Sequence, residues 1–191
     1  MAKTGFKVAK YNKIVGDKYE ALKDNKVPMF EKVIDEKFAP EYNSAELYAN
    51  DSLAEADYSF KKGTLSWTVA DDDDEFVAEM LGNTNNDGEI VSKIDDVAPE
   101  IAYGHIVTKM VGSARKYKVE FFPRVKITKV TSDNKTRGES VEFGTTAMEG
   151  VVMPLDSAIN GLEVGTWEKH QTFLTVTEAE TYLDGLLTPT A

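Results

Sequence analysis

A mostly β fold with two short helices, one flanking and one C-terminal, is what this sequence predicts. Three observations carry that expectation. Thr64-Leu65-Ser66-Trp67-Thr68-Val69 alternates polar and apolar residues, the period of a half-buried strand. Residues 101–111 are rich in β-formers and lead through Gly112-Ser113, a hairpin turn, into a second alternating stretch at 115–128. Helical spacing occurs in only two short places, ahead of Gly82 and close to the C-terminus. At 191 residues, the chain is expected to form one domain with an N-terminal arm and long loops rather than two full domains.

Plausible strands run near 5–14 and 28–39, after which Pro40-Glu41-Tyr42-Asn43-Ser44 is expected to break the pattern. The acidic stretch that follows reaches Asp57 without a long apolar face, so 41–58 reads as an extended loop. A strand at 59–70 buries Leu65, Trp67 and Val69. Asp71 to Asp74 then offer capping carboxylates, and Phe76/Met80 and Val77/Leu81 pair at i,i+4 ahead of Gly82, which predicts a helix over 73–81. Asn85-Asn86-Asp87-Gly88 suits a turn, with Gly88 at positive φ and a strand at 89–93.

In the 115–128 strand, Tyr117, Val119, Phe121, Val125 and Ile127 fall on one face. Lys116, Lys118, Arg124 and Lys126 fall on the other with Glu120 and Phe122, and Pro123 marks an edge or a bulge. Further strands are expected from 139–143 towards Val152 and at 167–176, with a loop over 154–165. Thr177 and Glu180 have capping-box spacing for a helix at 177–187, whose apolar side is Tyr182, Leu183, Leu186 and Leu187.

The composition excludes whole classes of chemistry. There are no cysteines, which removes disulfides, thiolate metal sites and cysteine nucleophiles. No apolar run approaches the roughly 18 residues of a membrane span, and the first residues lack the apolar stretch of a secretory signal. The net charge of −11 opposes a free-standing nucleic-acid binder. Asn83 to Ile94 imitates a calcium loop but places Ile94 where a bidentate carboxylate is required, and the Asp71 to Asp74 run is explained by helix capping. His105 and His170, the only histidines, lack partners at ligand spacing and read as structural. No nucleophile elbow, phosphate loop or dinucleotide fingerprint is present. No metal, cofactor or catalytic residue is therefore assigned.

Charge is blocked along the chain: −10 over 71–100, +7 over 101–137 and −8 over 138–191. Opposed blocks suit a subunit that attracts copies of itself head to tail. The candidate subunit-interface residues are Leu47, Tyr48 and Leu53 in the acidic segment, and Lys116, Lys118, Arg124 and Lys126 on the basic strand.

The order of short blocks also carries information. Leu47-Tyr48-Ala49-Asn50-Asp51, Ala54-Glu55-Ala56-Asp57, Gly63-Thr64-Leu65 and an acid-rich helix ending Met80-Leu81-Gly82 are followed by Asp87-Gly88-Glu89-Ile90, Ala98-Pro99 and Gly104-His105-Ile106. Arg115-Lys116-Tyr117, Val125-Lys126-Ile127 and Gly138 to Phe143 complete the series. Over residues 40–150 this order resembles the major tail proteins of long-tailed bacteriophages with non-contractile tails. The resemblance implies a β-sandwich or barrel-like tail-tube subunit with one flanking helix, six subunits per ring and rings stacked into a tail tube through which the genome passes, without catalysis and without a cofactor. It implies a virion location after synthesis in the host cytoplasm, and neighbours that include tape measure and tail-terminator proteins. DNA would traverse the lumen without specific binding, and no membrane is involved. It maps subunit contacts onto 41–58, the N-terminal arm and the C-terminal segment. The competing readings are a β-sandwich module binding carbohydrate or protein on a virion, and a hydrolase using carboxylates that meet only in space.

Overall fold

The computed structural model describes residues 2–30, 32–49, 52–70, 73–132 and 144–190, with backbone alone at 2–4, 47–49, 52–54 and 57. In chain order the strands are β1 (Ala2–Val15), β2 (Lys18–Tyr19), β3 (Val33–Ala49), β4 (Ser52–Val69), β5 (Thr84–Asn86), β6 (Glu89–Val91), β7 (Glu100–Val111), β8 (Ala114–Ser132), β9 (Thr146–Val152) and β10 (Lys169–Phe173). Helix α1 (Asp74–Leu81) follows β4, and α2 (Val176–Leu187) follows β10. Eight strands form one antiparallel sheet in the order β2-β1-β7-β8-β9-β4-β3, with β10 alongside β8, while β5 and β6 pair separately. The mostly β class with two short helices is thus observed, in a single curled sheet that does not close into a barrel.

Curling follows from where the large side chains are. Leu65, Trp67 and Val69 of β4, Ile101 and Tyr103 of β7, and Met148 and Val152 of β9 share one buried cluster with Tyr11 of β1. Phe30, from the β2–β3 connection, packs against Tyr11, Trp67, Phe76 and Tyr103 and so fills the concave side. The same connection spans the gap between the sheet's ends. Phe30 N donates to Ala9 O at 2.9 Å, Tyr11 N to Pro28 O at 3.1 Å, and Ala70 N to Lys32 O at 2.9 Å. Only an isolated bridge, Lys10 to Met29, forms where a strand from 28 was expected, because this segment crosses between strands instead of laddering with one.

The convex side is covered by α2, whose Ala179, Leu183 and Leu187 are buried against Ala102 and Ile106 of β7 and Val119 and Phe121 of β8. A Cβ added to Gly104 would lie 2.4 Å from Leu183, so glycine at this position lets the helix approach the sheet. The capping box is made by Thr175 and Glu178, two residues before the expected Thr177 and Glu180, which have the same spacing but stand inside the helix.

Strand β8 corrects the sequence reading most. Ile101 pairs with Val125 but Tyr103 with Phe122, so β8 carries one extra residue beside Pro123. That bulge reverses the side-chain alternation. Val119 and Phe121 face α2, whereas Phe122, Val125 and Ile127 enter the concave core. The predicted single apolar face is therefore two half-faces, and Phe122 is buried at 1% exposure rather than lying beside exposed lysines.

Other boundaries move for local reasons. β3 continues through Pro40, which is tolerated on an edge strand. The Asn85 loop is a hairpin: Asp87 and Gly88 both take positive φ, 51° and 94°, the combination a tight two-residue turn requires. The expected strand at 139–143 lies outside the described residues, and β9 starts at Thr146.

Helix α1 is capped by Asp73, which accepts from Glu75 N, and ends at Gly82 with φ 75°. A Cβ at Gly82 would meet the Val97 carbonyl oxygen at 2.2 Å. Gly82→Ala is expected to destabilise the fold by at least about 1–2 kcal/mol, the cost of left-handed backbone for an L-residue. Denaturant unfolding measures this, and an unchanged midpoint would contradict it.

Candidate assembly surface

The segment 41–58, expected to be a loop, is the distal part of a long hairpin. β4 pairs with β9 only from Gly63 onward, while β3 and β4 stay paired from Val33↔Val69 out to Ala49↔Ser52. Residues 41–49 and 52–62 therefore extend beyond the sheet as a two-stranded arm about 30 Å long at the usual rise per residue. Their local sequence supports this. Tyr42, Tyr58 and Phe60 are strand formers, and only extended backbone satisfies the polar groups of so small-sided a run by laddering.

Register fixes the faces of the arm. Tyr42 pairs with Phe60, Ser44 with Tyr58 and Glu46 with Ala56, and paired residues share a face. This face continues the concave side of the sheet, on which Glu36 and Phe38 of β3 also lie. A row buried within the body thus emerges as an aromatic stripe in which Tyr42 is 52% and Tyr58 60% exposed. Tyr58 OH donates to Glu46 at 2.8 Å, which sets the direction of its ring. The stretch 41–58 holds five acidic and no basic residues.

The root of the arm is held by stacked rings. Trp167, from the β9–β10 connection, stacks on Phe60 with centroids 4.0 Å apart and planes 7° apart. Phe38 lies 5.9 Å from Trp167 on one side and 4.8 Å from Phe122 on the other. A Cβ at Gly63 would stand 2.3 Å from the Phe38 ring, so glycine is needed for Phe38 to lie over β4. The arm is thereby attached to a rigid body through aromatic contacts worth about 0.5–1.5 kcal/mol each beyond area burial.

Leu47 stands opposite Glu55 and Tyr48 opposite Leu53, next to the tip of the arm, with a bulge between the two pairs; their side chains are outside the described set. The basic candidates do not share a face. Lys116 and Lys118 lie on the side of Glu120, while Arg124 and Lys126 lie beyond the bulge on the opposite side. Lys118 donates to Glu120 at 2.6 Å. Arg124 makes a two-pronged contact with Glu100 at 2.8 Å on each prong, and reaches Asp156 at 2.8 Å. Lys118 and Arg124 are therefore committed within the subunit, and reversing either charge would disturb the fold as well as any contact. The half-buried Lys116 and Lys126 are the better probes of an intermolecular contact.

One constellation was not anticipated. A cavity of about 350 Å³ between β1 and β3 is lined by Phe6, Ile34, Glu36, Phe38, His105 and Glu120, among others. His105 Nε2 lies 3.0 Å from Glu120 Oε2, and Tyr103 OH donates to Glu36 Oε2. Glu36 Oε1 lies 3.3 Å from His105 Nδ1, near enough for charge attraction but out of hydrogen-bond alignment. Burial pushes the Glu36 carboxyl above its usual value, and the Glu120 charge adds to this against the lowering effect of His105 and Tyr103. Burial opposes the charge of Glu120 too, but the hydrogen bonds and charges of His105 and Lys118 outweigh it and hold that carboxyl below the carboxylate range. The sequence signal was faint: His105 and Glu120 are cross-strand partners around the Gly112 turn, but the third member, Glu36, arrives from a distant strand. Among the described residues no group of three or more His, Asp or Glu side chains is arranged to hold a metal ion.

Comparison with known proteins finds no family model that matches the chain and no curated protein that matches it.

Trp167→Ala is expected to leave the core intact while raising hydrogen exchange about tenfold at 41–46 and 58–62, as one aromatic contact is lost. Unchanged exchange there would show that the arm is held otherwise. Glu120, depressed in the folded state, adds stability that is present above the unfolded value of about 4.3 and is lost as pH falls below it. Glu36 contributes the opposite slope. Glu120→Gln should therefore flatten the decline of melting temperature on acidification below about pH 4.5, and an unaltered acid limb would contradict the assignment.

Proposed function

We propose that this chain is a virion structural protein that self-assembles, as stacked hexameric rings, into the tail tube of a long-tailed phage. The arm is the observation that carries the reading. A hairpin that leaves the sheet, continues a buried face as an exposed tyrosine stripe and is acidic over 41–58 has surface that another copy can cover. Isolated two-stranded ribbons are marginal in water, so an arm of this length gains most of its order from a neighbour. Head-to-tail contacts of this kind are heterologous, and they generate rings or stacks according to whether the rotation closes.

The order of sequence blocks supplies the ring number and the tube. The same resemblance supplies the tape measure and tail-terminator proteins as further partners, and the lumen as a genome conduit without specific DNA contacts. The net charge of −11 accords with a wall to which DNA does not adhere. No catalytic step enters this reading. Glu36 and Glu120, the carboxylates that approach each other, have His105 between them and are engaged by it.

The test follows the register. Joining Tyr42 to Phe60 through Asn-Gly, in place of 43–59, keeps the aromatic root and supplies a tight turn. The shortened protein is expected to fold and to give no tubes by negative-stain imaging under conditions in which the full chain forms them. Tubes of normal length from the shortened protein would overturn the role of the arm. Lys116→Glu with Lys126→Glu should slow tube growth while the subunit still folds, as both side chains are only half-buried; unchanged growth would remove the basic strand from the contact.

A further inference from the structure

We infer that Glu36 and His105 hold one proton between them, and that this proton clamps the arm-bearing strand β3 to the β7–β8 hairpin. The argument begins with the ring. A neutral imidazole has one N–H. Its Nε2 faces Glu120 Oε2 at 3.0 Å, and Glu120 also accepts from Lys118 at 2.6 Å. An ionised Glu120 fixes the hydrogen on Nε2. Nδ1 would then present a lone pair to Glu36 Oε1 at 3.3 Å, two acceptors facing each other in a site where the two side chains are only 3% and 7% exposed. A second proton, on Nδ1 or on Glu36, removes that repulsion, and on Nδ1 it replaces it with charge attraction.

The described side chains around the ring give Nδ1 no hydrogen-bond partner, while the Trp67 indole of β4 acts on Glu36. From β1 the ring meets Phe6, stacked at 5.2 Å, and Phe6 carries no charge. From β3 the titratable groups at the cavity are Asp35 and Glu36, both acidic. From β7 there is Tyr103, whose hydroxyl already donates to the other oxygen of Glu36, and from β8 there are Glu120 and its partner Lys118. Tyr103 stays protonated, because burial and the adjacent Glu36 charge raise it well above its usual value. With the shared proton the four charged groups Glu36, Glu120, Lys118 and His105 balance. Without it Glu36, whose side chain is only 7% exposed, adds an uncompensated negative charge at a cavity that Asp35 also lines, which is costly. The upward shift of Glu36 has the same sign.

The mechanical consequence comes from topology. β3 is laddered on one edge only, to β4, and its other edge has no strand partner among the described residues. The Glu36 contact crosses the concave interior to β7 and links the strand that becomes the arm to the opposite part of the sheet. A proton bound in the folded state and released as pH rises gives stability that is present at lower pH and is lost upward through the titration of the pair. Raising pH should therefore loosen β3. The clamp is a property of the single subunit, so it stands or falls apart from the assembly reading.

Hydrogen exchange of the dilute full-length chain, corrected for intrinsic rates, tests it between about pH 6 and about pH 9, the span in which imidazole chemistry operates. Protection at 34–38 is expected to fall about tenfold, the effect of roughly one pKa unit of linkage, while α2 on the convex side keeps its protection. Glu36→Gln presents an N–H to Nδ1 and an oxygen to Tyr103, imitating the protonated pair. It should hold protection constant over the same range. Wild-type protection that does not change with pH, or a Gln variant that loosens as the wild type does, would overturn the clamp. Carbon and nitrogen NMR of the wild type provides a readout that needs no variant. The Glu36 carboxyl must titrate above the usual carboxylate range, and a Glu36 midpoint within or below that range would defeat the proposal.

Discussion

The bulge beside Pro123 is the constraint on which the rest of this structure depends. β8 is 19 residues long and must bury side chains on both faces, because α2 covers the convex side and the core fills the concave side. A strand with uninterrupted alternation would send Val119, Phe121, Val125 and Ile127 to one face. One extra residue between Phe122 and Val125 divides them, two beneath α2 and two into the core, and leaves Phe122 free to meet Phe38. A bulge also bends the strand and increases its twist, which suits a sheet whose ends are brought close enough for the 28–33 connection to span them.

The aromatic series that roots the arm starts from that same residue. Phe122 contacts Phe38, Phe38 contacts Trp167, and Trp167 lies flat on Phe60. The arm is therefore not an appendage on a loose linker. Its two strands are continuous with β3 and β4 of the body, and its exposed tyrosines prolong a face that is buried a few residues earlier. An arm anchored at its root that leaves Tyr42 and Tyr58 exposed presents aromatic surface that a partner could cover, and its acidic character biases which surface could approach it.

Much of the fold was legible because it is written in local patterns. The Thr64–Val69 alternation, the Gly112 turn, the Asp73 cap with Gly82, and the Leu183–Leu187 side of the last helix each follow from spacing alone. The misses have a common origin in nonlocal pairing. Residues 41–58 look like loop because small and acidic side chains dominate, yet β3 and β4 align over so many residues that laddering prevails over weak intrinsic preference. The two faces of β8 cannot be separated without knowing that Tyr103 pairs with Phe122. The same holds for the candidate surface: Leu47, Tyr48 and Leu53 lie next to the tip of the arm, whereas Lys118 and Arg124 are held by Glu120, Glu100 and Asp156. The buried Glu36–His105–Glu120 group joins three strands, two of them far apart in sequence, and no motif announces it.

The central claim is that the arm is completed by a second copy of the same chain. Electron cryomicroscopy of assemblies grown from the concentrated, purified protein tests it most directly. The account predicts rings of six copies stacked into a tube, with Tyr42 and Tyr58 of every arm buried against a neighbouring subunit. A chain that remains monomeric at high concentration, or a tube whose arms project freely into solvent, would contradict it.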